Sequence, residues 1–263
     1  MEMNKLESVT QRMETQSKLT WKREKSLICN WVPSYGEQLK ILEIGSGPGI
    51  ITEKLCSLFP NSQITSLELD KDLLEYHKQH MSEEVKNRVT ILQGDVAEIE
   101  LEEEAYDIVY ARLVLQHVHQ VDKALENIYR SLKKNGKLII TDIDEGLFGI
   151  IDPPVPELEY VLGRHIEEQV IEGGDRYIGR KLWRKLKGVN FSDVDLELIP
   201  INSDEIGIAS FIPQVDYEEM SSMIENDLIT EVDINKVRAA AEKFMKSDYP
   251  FALLVLFFVI AIK

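Results

Sequence analysis

Short apolar runs alternate with amphipathic stretches along the first 145 residues of the chain. Runs of four to eight apolar residues are typical of buried strands, and apolar positions spaced three or four apart are typical of helices. Helices are predicted over 4–32, 50–59, 71–81 and 121–132, and strands over 41–44, 63–67, 89–93, 107–111 and 137–142. Strands joined through helices predict a parallel, doubly wound α/β sheet with right-handed crossovers.

The pattern changes after residue 145. Three prolines between 152 and 156 precede helical stretches at 158–171 and 175–187, which we interpret as an inserted lid. A sixth strand is predicted at 194–199. The apolar run 251–262 is too short for a membrane helix and predicts a strand buried on both faces. The predicted divisions are an N-terminal helical cap (1–33), a core (34–145), a helical lid (146–190) and the C-terminal part of the core (191–263), with a substrate-side insertion at 200–250.

A glycine-rich turn follows the first predicted strand. Glu43 and Ile44 end that strand, and Gly45, Gly47 and Gly49 come at every second position before a helix. Such a turn lets the main chain approach a nucleotide closely at the carboxyl edge of a parallel sheet. The spacing differs from the dinucleotide pattern G-x-G-x-x-G, and no Lys-Ser/Thr pair follows as a P-loop requires.

Acidic residues follow the next two strands. Glu68 ends the second strand, where a carboxylate can accept hydrogen bonds from both hydroxyls of a ribose. Asp70 is the alternative ligand, and it can equally act as the N-cap of the following helix. Gly94 and Asp95 come directly after the third strand.

Taken in order, these motifs resemble those of class I S-adenosylmethionine-dependent methyltransferases of the small-molecule type. Residues 107–117 resemble the fourth-strand motif of that family, and 130–136 resemble its R-x-L-K-P-G-G turn, with Asn135 in place of proline and Lys137 in place of the second glycine. The resemblance implies a seven-stranded Rossmann-like sheet, mostly parallel with the last strand antiparallel, and S-adenosylmethionine as cofactor. The cofactor-binding residues that it implies are Glu43, Gly45, Ser46, Gly47, Gly49, Glu68, Leu69, Asp95, Val96, Ala111 and Arg112.

The implied activity is methyl transfer to an oxygen, nitrogen or carbon of a small molecule, in specialised metabolism. A nicotinamide-dependent oxidoreductase and a non-catalytic S-adenosylmethionine-binding regulator are the alternatives. His117 is the candidate general base because an imidazole titrates near neutral pH, and its alternative role is a backbone-bonded histidine at a helix start. His165 in the lid is a weaker candidate.

Two further groups of residues carry expectations about the site. We expect the N-terminal helix to close over the cofactor, with Arg12 and Gln16 in contact, and we expect His77, His80 and His119 at the surface. The basic residues of the lid indicate either a solvated face or contact with an anionic substrate; they are Arg176, Arg180, Lys181, Arg184, Lys185 and Lys187.

Composition narrows the class of partner. The 46 acidic and 30 basic residues give a net charge of −16, which disfavours nucleic acid. Cys29 and Cys56 are expected to be reduced thiols, and the sequence has no Cys/His cluster that predicts a metal site. The polar N-terminal segment argues against a signal peptide. A cytoplasmic protein with a small-molecule partner and no membrane or nucleic-acid partner is therefore expected.

Overall fold

The computed structural model describes residues 3–32, 36–147, 149–214 and 219–263. Helices and strands alternate through the first half, as the sequence predicts. The helices are α1 (Met3–Trp31), α2 (Ile50–Leu58), α3 (Lys71–His80), α4 (Val121–Ser131), α5 (Pro156–Ile171), α6 (Gly179–Gly188), α7 (Ser203–Ile206), α8 (Glu219–Glu225) and α9 (Glu231–Met245). The strands are β1 (Lys40–Ile44), β2 (Gln63–Glu68), β3 (Val89–Gln93), β4 (Tyr106–Arg112), β5 (Leu132–Ile143), β6 (Ile150–Asp152), β7 (Val194–Asn202) and β8 (Phe251–Ile262).

The described strands form one sheet in the order β3-β2-β1-β4-β5-β8, with β7 along the outer edge of β8. Strands β1 to β5 are parallel, and β8 is antiparallel to both of its neighbours. Leu253 pairs with Ile150 on one side and with Asn202 on the other, so β6 extends the β5 side of β8. The expected doubly wound sheet with an antiparallel last strand is confirmed. The additional strand β6 is too short for an alternating pattern to reveal it.

Helices cover both faces of this sheet, which explains why its strands are continuous apolar runs. Ile41 belongs to the core layer under α1 and α2, whereas its neighbour Leu42 belongs to the layer under α4 and α6. Strand β8 follows the same rule, because Ile260 faces the first layer and Val259 the second.

The lid differs from the one expected at 146–190. Helix α6 packs on the sheet through Ile178, Leu182 and Leu186, which are fully buried on one helical stripe. Only α5 stands away from the sheet, and it packs against α8 and α9 through a separate apolar cluster. We therefore define the lid as α5, α8 and α9, which joins the predicted lid to the predicted insertion at 200–250.

Two smaller findings concern the apolar run and the thiols. Among the described helices, none has both the length and the apolar character that crossing a bilayer demands. The run 251–262 forms β8, as expected. Cys29 and Cys56 are free, and burial raises the pKa of the Cys56 thiol to about 11.

Candidate cofactor and substrate site

The turn between β1 and α2 brings main-chain atoms to the carboxyl edge of the sheet. Gly45, Gly47 and Gly49 have φ angles of +64°, +54° and +89°, a region that glycine enters without steric cost. A Cβ atom on Gly47 would meet only the Sδ and Cε atoms of Met13, at 3.4 and 3.9 Å. The flexible Met13 side chain of α1 is thus the nearest group over the middle of the loop.

Glu68 ties the ends of three strands together. Its Oε2 accepts a hydrogen bond from the Gly47 N–H at 2.7 Å, and its Oε1 accepts from the N–H groups of Leu69 and Asp70 at 2.8 and 2.9 Å. Its main-chain oxygen accepts from the Gly94 N–H at 3.0 Å. The carboxylate therefore lies between the glycine loop and the start of α3.

The two residues after Glu68 have separate places. The Asp70 carboxylate caps α3 by accepting hydrogen bonds from the N–H groups of Asp72 and Leu73 at 2.8 and 3.0 Å. Asp70 therefore has the geometry of an N-cap. The Leu69 side chain is 63% exposed at the same edge of the sheet. An exposed apolar side chain beside a buried carboxylate suits contact with the flat face of a base.

Glu43 is buried below the loop. Its Oε2 accepts hydrogen bonds from Thr52 Oγ1 at 2.5 Å and from Ser66 Oγ at 3.1 Å. Burial raises the pKa of this carboxyl to about 7. These contacts hold α2 against β1 and β2. By contrast, the buried Oγ of Ser46 has no hydrogen-bond partner among the described residues.

Asp95 and Val96 lie in the turn after β3. The Asp95 Oδ1 accepts from the Ala97 N–H at 2.8 Å, and the Val96 side chain is buried. Asn127 of α4 holds this turn by donating to the main-chain oxygens of Val96 and Ile99, at 2.8 and 2.7 Å. Sequence reasoning missed Asn127, whose only signal is a polar residue on the apolar face of an amphipathic helix.

Arg112, at the end of β4, is part of a buried ionic network, and its neighbour Ala111 is almost fully buried. Its Nε donates to Glu24 Oε1 at 3.1 Å and its Nη2 to Thr20 Oγ1 at 2.8 Å. The Tyr110 hydroxyl donates to Glu24 Oε2 at 2.7 Å. Burial alone would raise the pKa of Glu24, but Arg112 and the two hydroxyls hold it below its ordinary value. The network fastens α1 across the sheet edge.

Strand register explains why these residues gather. Ile44 pairs with Leu67 on one side and Ala111 on the other, and Glu68 pairs with Gln93. The ends of β1 to β4 consequently share one edge. A glycine cradle, the unpartnered Ser46 hydroxyl and a carboxylate beside exposed Leu69 together fit a nucleoside with an attached polar chain.

A cavity of about 280 Å³ adjoins this edge. The lid, α1, β5 to β8 and the residues after β4 enclose it, and most of its surface is apolar. The apolar lining residues are Met13, Leu19, Leu113, Ile143, Gly149, Ile151, Val155, Leu158, Val161, Leu162, Ile201, Ile208, Phe211, Met220, Met223, Val237, Ala241, Phe244, Met245, Ala252, Leu254 and Leu256. We call this cavity the chamber.

Polar side chains line only part of the chamber. They are Arg12, Gln16, Thr20, Arg112, Gln116, His117, His165 and Arg176. Arg12 and Gln16 of α1 thus lie in the chamber wall. Burial, followed by the positive charges of Arg176 and Arg12, lowers the pKa of His117 to about 4, and the same causes lower that of His165 to about 4. Both rings are therefore neutral at neutral pH.

The three histidines that were expected at the surface have different outcomes. The prediction that His77 is a surface residue is wrong, because its side chain is 1% exposed and packs on Gly49. The His77 ring occupies the space that a side chain at Gly49 would fill. His80 and His119 are exposed, as expected.

The basic residues of the predicted lid also differ in burial. Arg176 is buried and its Nε donates to Glu145 Oε2 at 2.7 Å. The others lie on the outer side of α6 or near it, where Arg180 pairs with Asp144 and Lys185 pairs with Asp122. Arg176 alone among the six basic residues of this segment lines the chamber.

Comparison with known proteins gives the class. Residues 42–140 match a family model described as "Methyltransferase domain". The chain is 30% identical over 114 residues to a malonyl-[acyl-carrier protein] O-methyltransferase of Priestia megaterium, covering 43% of this chain and 40% of that protein. It is 33% identical over 123 residues to an arsenite methyltransferase of Rattus norvegicus, covering 43% and 33%. The matched region therefore spans less than half the length of either relative.

Solved structures share the fold over a longer part of the chain. A phosphoethanolamine N-methyltransferase 2 of Haemonchus contortus, in complex with S-adenosyl-L-methionine, matches with a TM-score of 0.58 and 21% identity, over 92% of this chain and 52% of that one. The YcgJ protein of Bacillus subtilis matches with a TM-score of 0.55 and 17% identity, over 86% and 92%. At these identities the likeness concerns the fold.

The sheet order, the antiparallel last strand and the glycine loop at the carboxyl edge define a Rossmann-like fold, which the solved methyltransferase structure named above shares. Residues 42–140 are similar to the methyltransferase domain family, and the Haemonchus contortus structure that shares the fold is a complex with S-adenosyl-L-methionine.

Proposed function

We propose that this chain transfers the methyl group of S-adenosylmethionine to a small, largely apolar molecule. The observation that carries the proposal is the position of the chamber. It adjoins the glycine-loop edge, and Met13, which packs over Gly47, is also part of the chamber wall. The methyl donor would be held at the edge and the methyl acceptor in the chamber, so the two would meet beside Met13.

The residues at the edge would hold the cofactor in the following way. The main chain of Gly45, Ser46, Gly47 and Gly49 would lie beneath the methionine part and the ribose. Glu68 would accept hydrogen bonds from the ribose hydroxyls, Asp95 would accept from the adenine amine, and Leu69 and Val96 would pack on the adenine ring. Ala111 would border the methionine end. The contacts of Glu43 and Arg112 inside the protein support an indirect role, in which these residues hold the loop and α1.

The chemistry asks mainly for orientation and exclusion of water. The cofactor supplies a methyl group that is already activated on a sulfonium. Positioning a nucleophile in line with it can contribute roughly 7–11 kcal/mol in the best model systems. The lid and α1 enclose the chamber, so they would exclude water from the acceptor and from the methyl group.

The chamber supports an apolar acceptor of limited size. Ligand pockets typically measure about 300–1,000 Å³ and are lined mainly by apolar side chains with few polar groups. At about 280 Å³ the chamber lies just below this range. The relatives named above act, by their names, on malonyl-[acyl-carrier protein] and on arsenite, which are unlike each other. Their names therefore do not select an acceptor for this chain.

Methyl transfer can be tested without knowing the acceptor. Purified protein is incubated with methyl-labelled S-adenosylmethionine and with cell extract divided into organic-soluble, water-soluble and macromolecular fractions. We expect label in a molecule of the organic-soluble fraction, and much less label when Glu68→Ala protein replaces the native chain at a low concentration of S-adenosylmethionine. Label confined to the macromolecular fraction would contradict the proposal, as would stabilisation of the protein by NAD and not by S-adenosylhomocysteine in thermal unfolding.

A further inference from the structure

The described lining of the chamber contains no acidic side chain, although the protein as a whole is acidic. The chain carries 46 acidic and 30 basic residues, yet the described residues that line the chamber include three arginines and no Asp or Glu. Glu24 neutralises Arg112. Arg176 is likewise paired with Glu145. Burial, with the positive charges of Arg176 and Arg12, lowers the pKa of both chamber histidines. A chamber wall without carboxylates in an acidic protein favours an anionic ligand.

Gln169 of α5 fixes the orientation of the polar side chains at this end. Its Oε1 accepts from Arg176 Nη1 at 3.3 Å, and its Nε2 donates to the main-chain oxygen of Gln116 at 3.3 Å. A guanidinium can only donate, and a carbonyl oxygen can only accept. Both contacts therefore require the same orientation of the amide, with Oε1 at Arg176 and Nε2 at the main-chain oxygen of Gln116.

This orientation determines which nitrogen of His117 carries the proton. The Gln169 Nε2 lies 2.7 Å from His117 Nδ1, and an amide N–H is a donor, so Nδ1 must be the acceptor. The neutral ring then carries its hydrogen on Nε2. Nε2 has no hydrogen-bond partner within the described part of the chain, and His117 lines the chamber.

Arg176 supplies a second donor. Its Nε is bonded to Glu145 and its Nη1 to Gln116 and Gln169. Its Nη2 donates to no residue that the structure describes, although Arg176 lines the chamber. His117 and Arg176 both contact the Gln169 amide, which therefore connects the residues that carry the two unused donors.

We propose that this group is a binding subsite for an anionic oxygen of the acceptor, with His117 as a hydrogen-bond donor through Nε2 and Gln169 as the positioning residue. The inference rests on the proposed function and narrows it to O-methylation of an apolar weak acid, such as a phenol, an enol or a carboxylic acid. It differs from the general-base role that the sequence suggests for His117, because a protonated Nε2 cannot accept a proton.

The reaction balances without a base on the protein. The acceptor enters as its anion, having lost its proton to solvent. An electron pair of the oxygen forms the new O–CH₃ bond, and the S–CH₃ bond breaks with its electron pair passing to sulfur. The sulfonium becomes a neutral thioether and the anion becomes a neutral ether or ester. No proton moves during transfer, so the role left for His117 is to bind the anion.

A coloured weak acid tests the subsite directly. 4-Octyl-2-nitrophenol is titrated on the full chain in the presence of saturating S-adenosylhomocysteine, and its phenolate absorption band is followed with pH. We expect the bound dye to ionise at least about one pH unit below the free dye, because opposite charge and hydrogen bonds favour the anion. His117→Gln keeps a donor near the position of Nε2 and should retain this shift, whereas His117→Leu should lose most of it. The exposed His119→Gln is the matched control.

The positioning role of Gln169 has its own readout. In the native chain, ¹⁵N NMR should show His117 with its hydrogen on Nε2. In Gln169→Leu the two tautomers should mix, and the dye should lose affinity by roughly tenfold to a hundredfold, the effect of one hydrogen bond to a charge. A merely structural role for Gln169 would lower stability and leave the tautomer unchanged.

Several outcomes would overturn the subsite. These are a bound dye that ionises at or above the pH of the free dye, failure of the dye to bind, displacement of the dye by S-adenosylhomocysteine, or a hydrogen on Nδ1 in native His117. Failure of the proposed function gives a different result, because the dye would then bind as its anion while labelled S-adenosylmethionine transferred methyl to no fraction.

Discussion

The cofactor edge and the chamber are built in opposite ways. At the edge, main-chain N–H groups from adjacent strand ends donate to one residue, as those of Gly47 and Gly94 do to Glu68. The chamber instead draws side chains from Arg12 at one end of the chain to Leu256 near the other. Most of its contacts are apolar and non-directional. The edge therefore depends on a few specific atoms, whereas the chamber depends on volume and on one polar end.

The difference indicates which part can change its ligand. Replacing an apolar wall residue alters the volume of the chamber and leaves the fold intact in most cases. Replacing a residue that accepts several main-chain hydrogen bonds leaves unpaired donors, which is costly. We therefore expect variation in the acceptor to arise in the chamber, while the edge keeps one cofactor.

The largest expected effect comes from breaking the link between the two regions. Arg112→Leu leaves the fully buried Glu24 without its partner. Removing one member of a buried ion pair costs about 3–5 kcal/mol, so the free energy of unfolding in urea should fall by this amount. Arg23→Leu is the control on the same helix, because its pair with Glu205 is exposed and should contribute no more than about 1 kcal/mol. Equal losses in the two variants would contradict the account.

Acid should weaken the fold through its buried histidines. Burial lowers the pKa of His77 to about 4, below the 6.5 expected of the unfolded chain. The unfolded chain therefore binds more protons between these values, so stability is complete above about pH 6.5 and falls as pH drops towards 4. The loss from one such ring is about 3 kcal/mol.

The variant His77→Leu isolates that contribution at the edge. Its free energy of unfolding should depend less on pH between 6.5 and 4 than that of the native chain, and His80→Leu, on the exposed side of the same helix, should leave the dependence as it is. The residual slope would come from His117 and His165 in the chamber. An unchanged slope in His77→Leu would refute the burial of a neutral ring at this position.

Removing Glu68 should separate cofactor binding from the chamber. In Glu68→Ala the N–H groups of Gly47, Leu69 and Asp70 lose their acceptor, and affinity for S-adenosylmethionine should fall by roughly 30- to 100-fold, or about 2–3 kcal/mol. Isothermal titration calorimetry measures this. Asp70→Ala should cost about 1 kcal/mol of stability as a lost N-cap, with little change in affinity. If Glu68→Ala binds the cofactor as tightly as the native chain, Glu68 is not its ligand.

The smallest expected effect is the change in kcat/KM for each methylene added to the acceptor. Across a series of 4-alkylphenols, each added methylene should raise kcat/KM about fourfold, or about 0.8 kcal/mol, until the chamber is full. Val161→Phe should shorten the optimal chain, and Val170→Phe, exposed on the same helix, should not. Release of S-adenosylhomocysteine gives the rate. A flat series would exclude an apolar acceptor site of this kind.

The sheet could be predicted because its signals are local. A buried run, a glycine turn and a carboxylate at the end of the next strand follow from periodicity and from the rule that ligands bind at carboxyl ends. The N-cap role of Asp70 could also be predicted, because an N-cap depends only on the residues beside it.

The chamber could not be predicted because its contacts are distant in sequence. Helix α6 has a clear apolar stripe, but a stripe does not state whether it packs on a sheet or on a lid. The burial of Arg176 among exposed basic residues follows from its pair with Glu145, 31 positions away. Glu24 is the same case, since its partner Arg112 is 88 positions away and only its place in the stripe of Thr20 and Ile28 marks it as buried.

A crystal structure with S-adenosylhomocysteine tests the division between edge and chamber most directly. The account predicts the ribose beside Glu68, the adenine beside Asp95, and the sulfur directed towards the chamber between Met13 and His117. Density for the ligand inside the apolar chamber, or an edge left empty at saturating ligand, would contradict it.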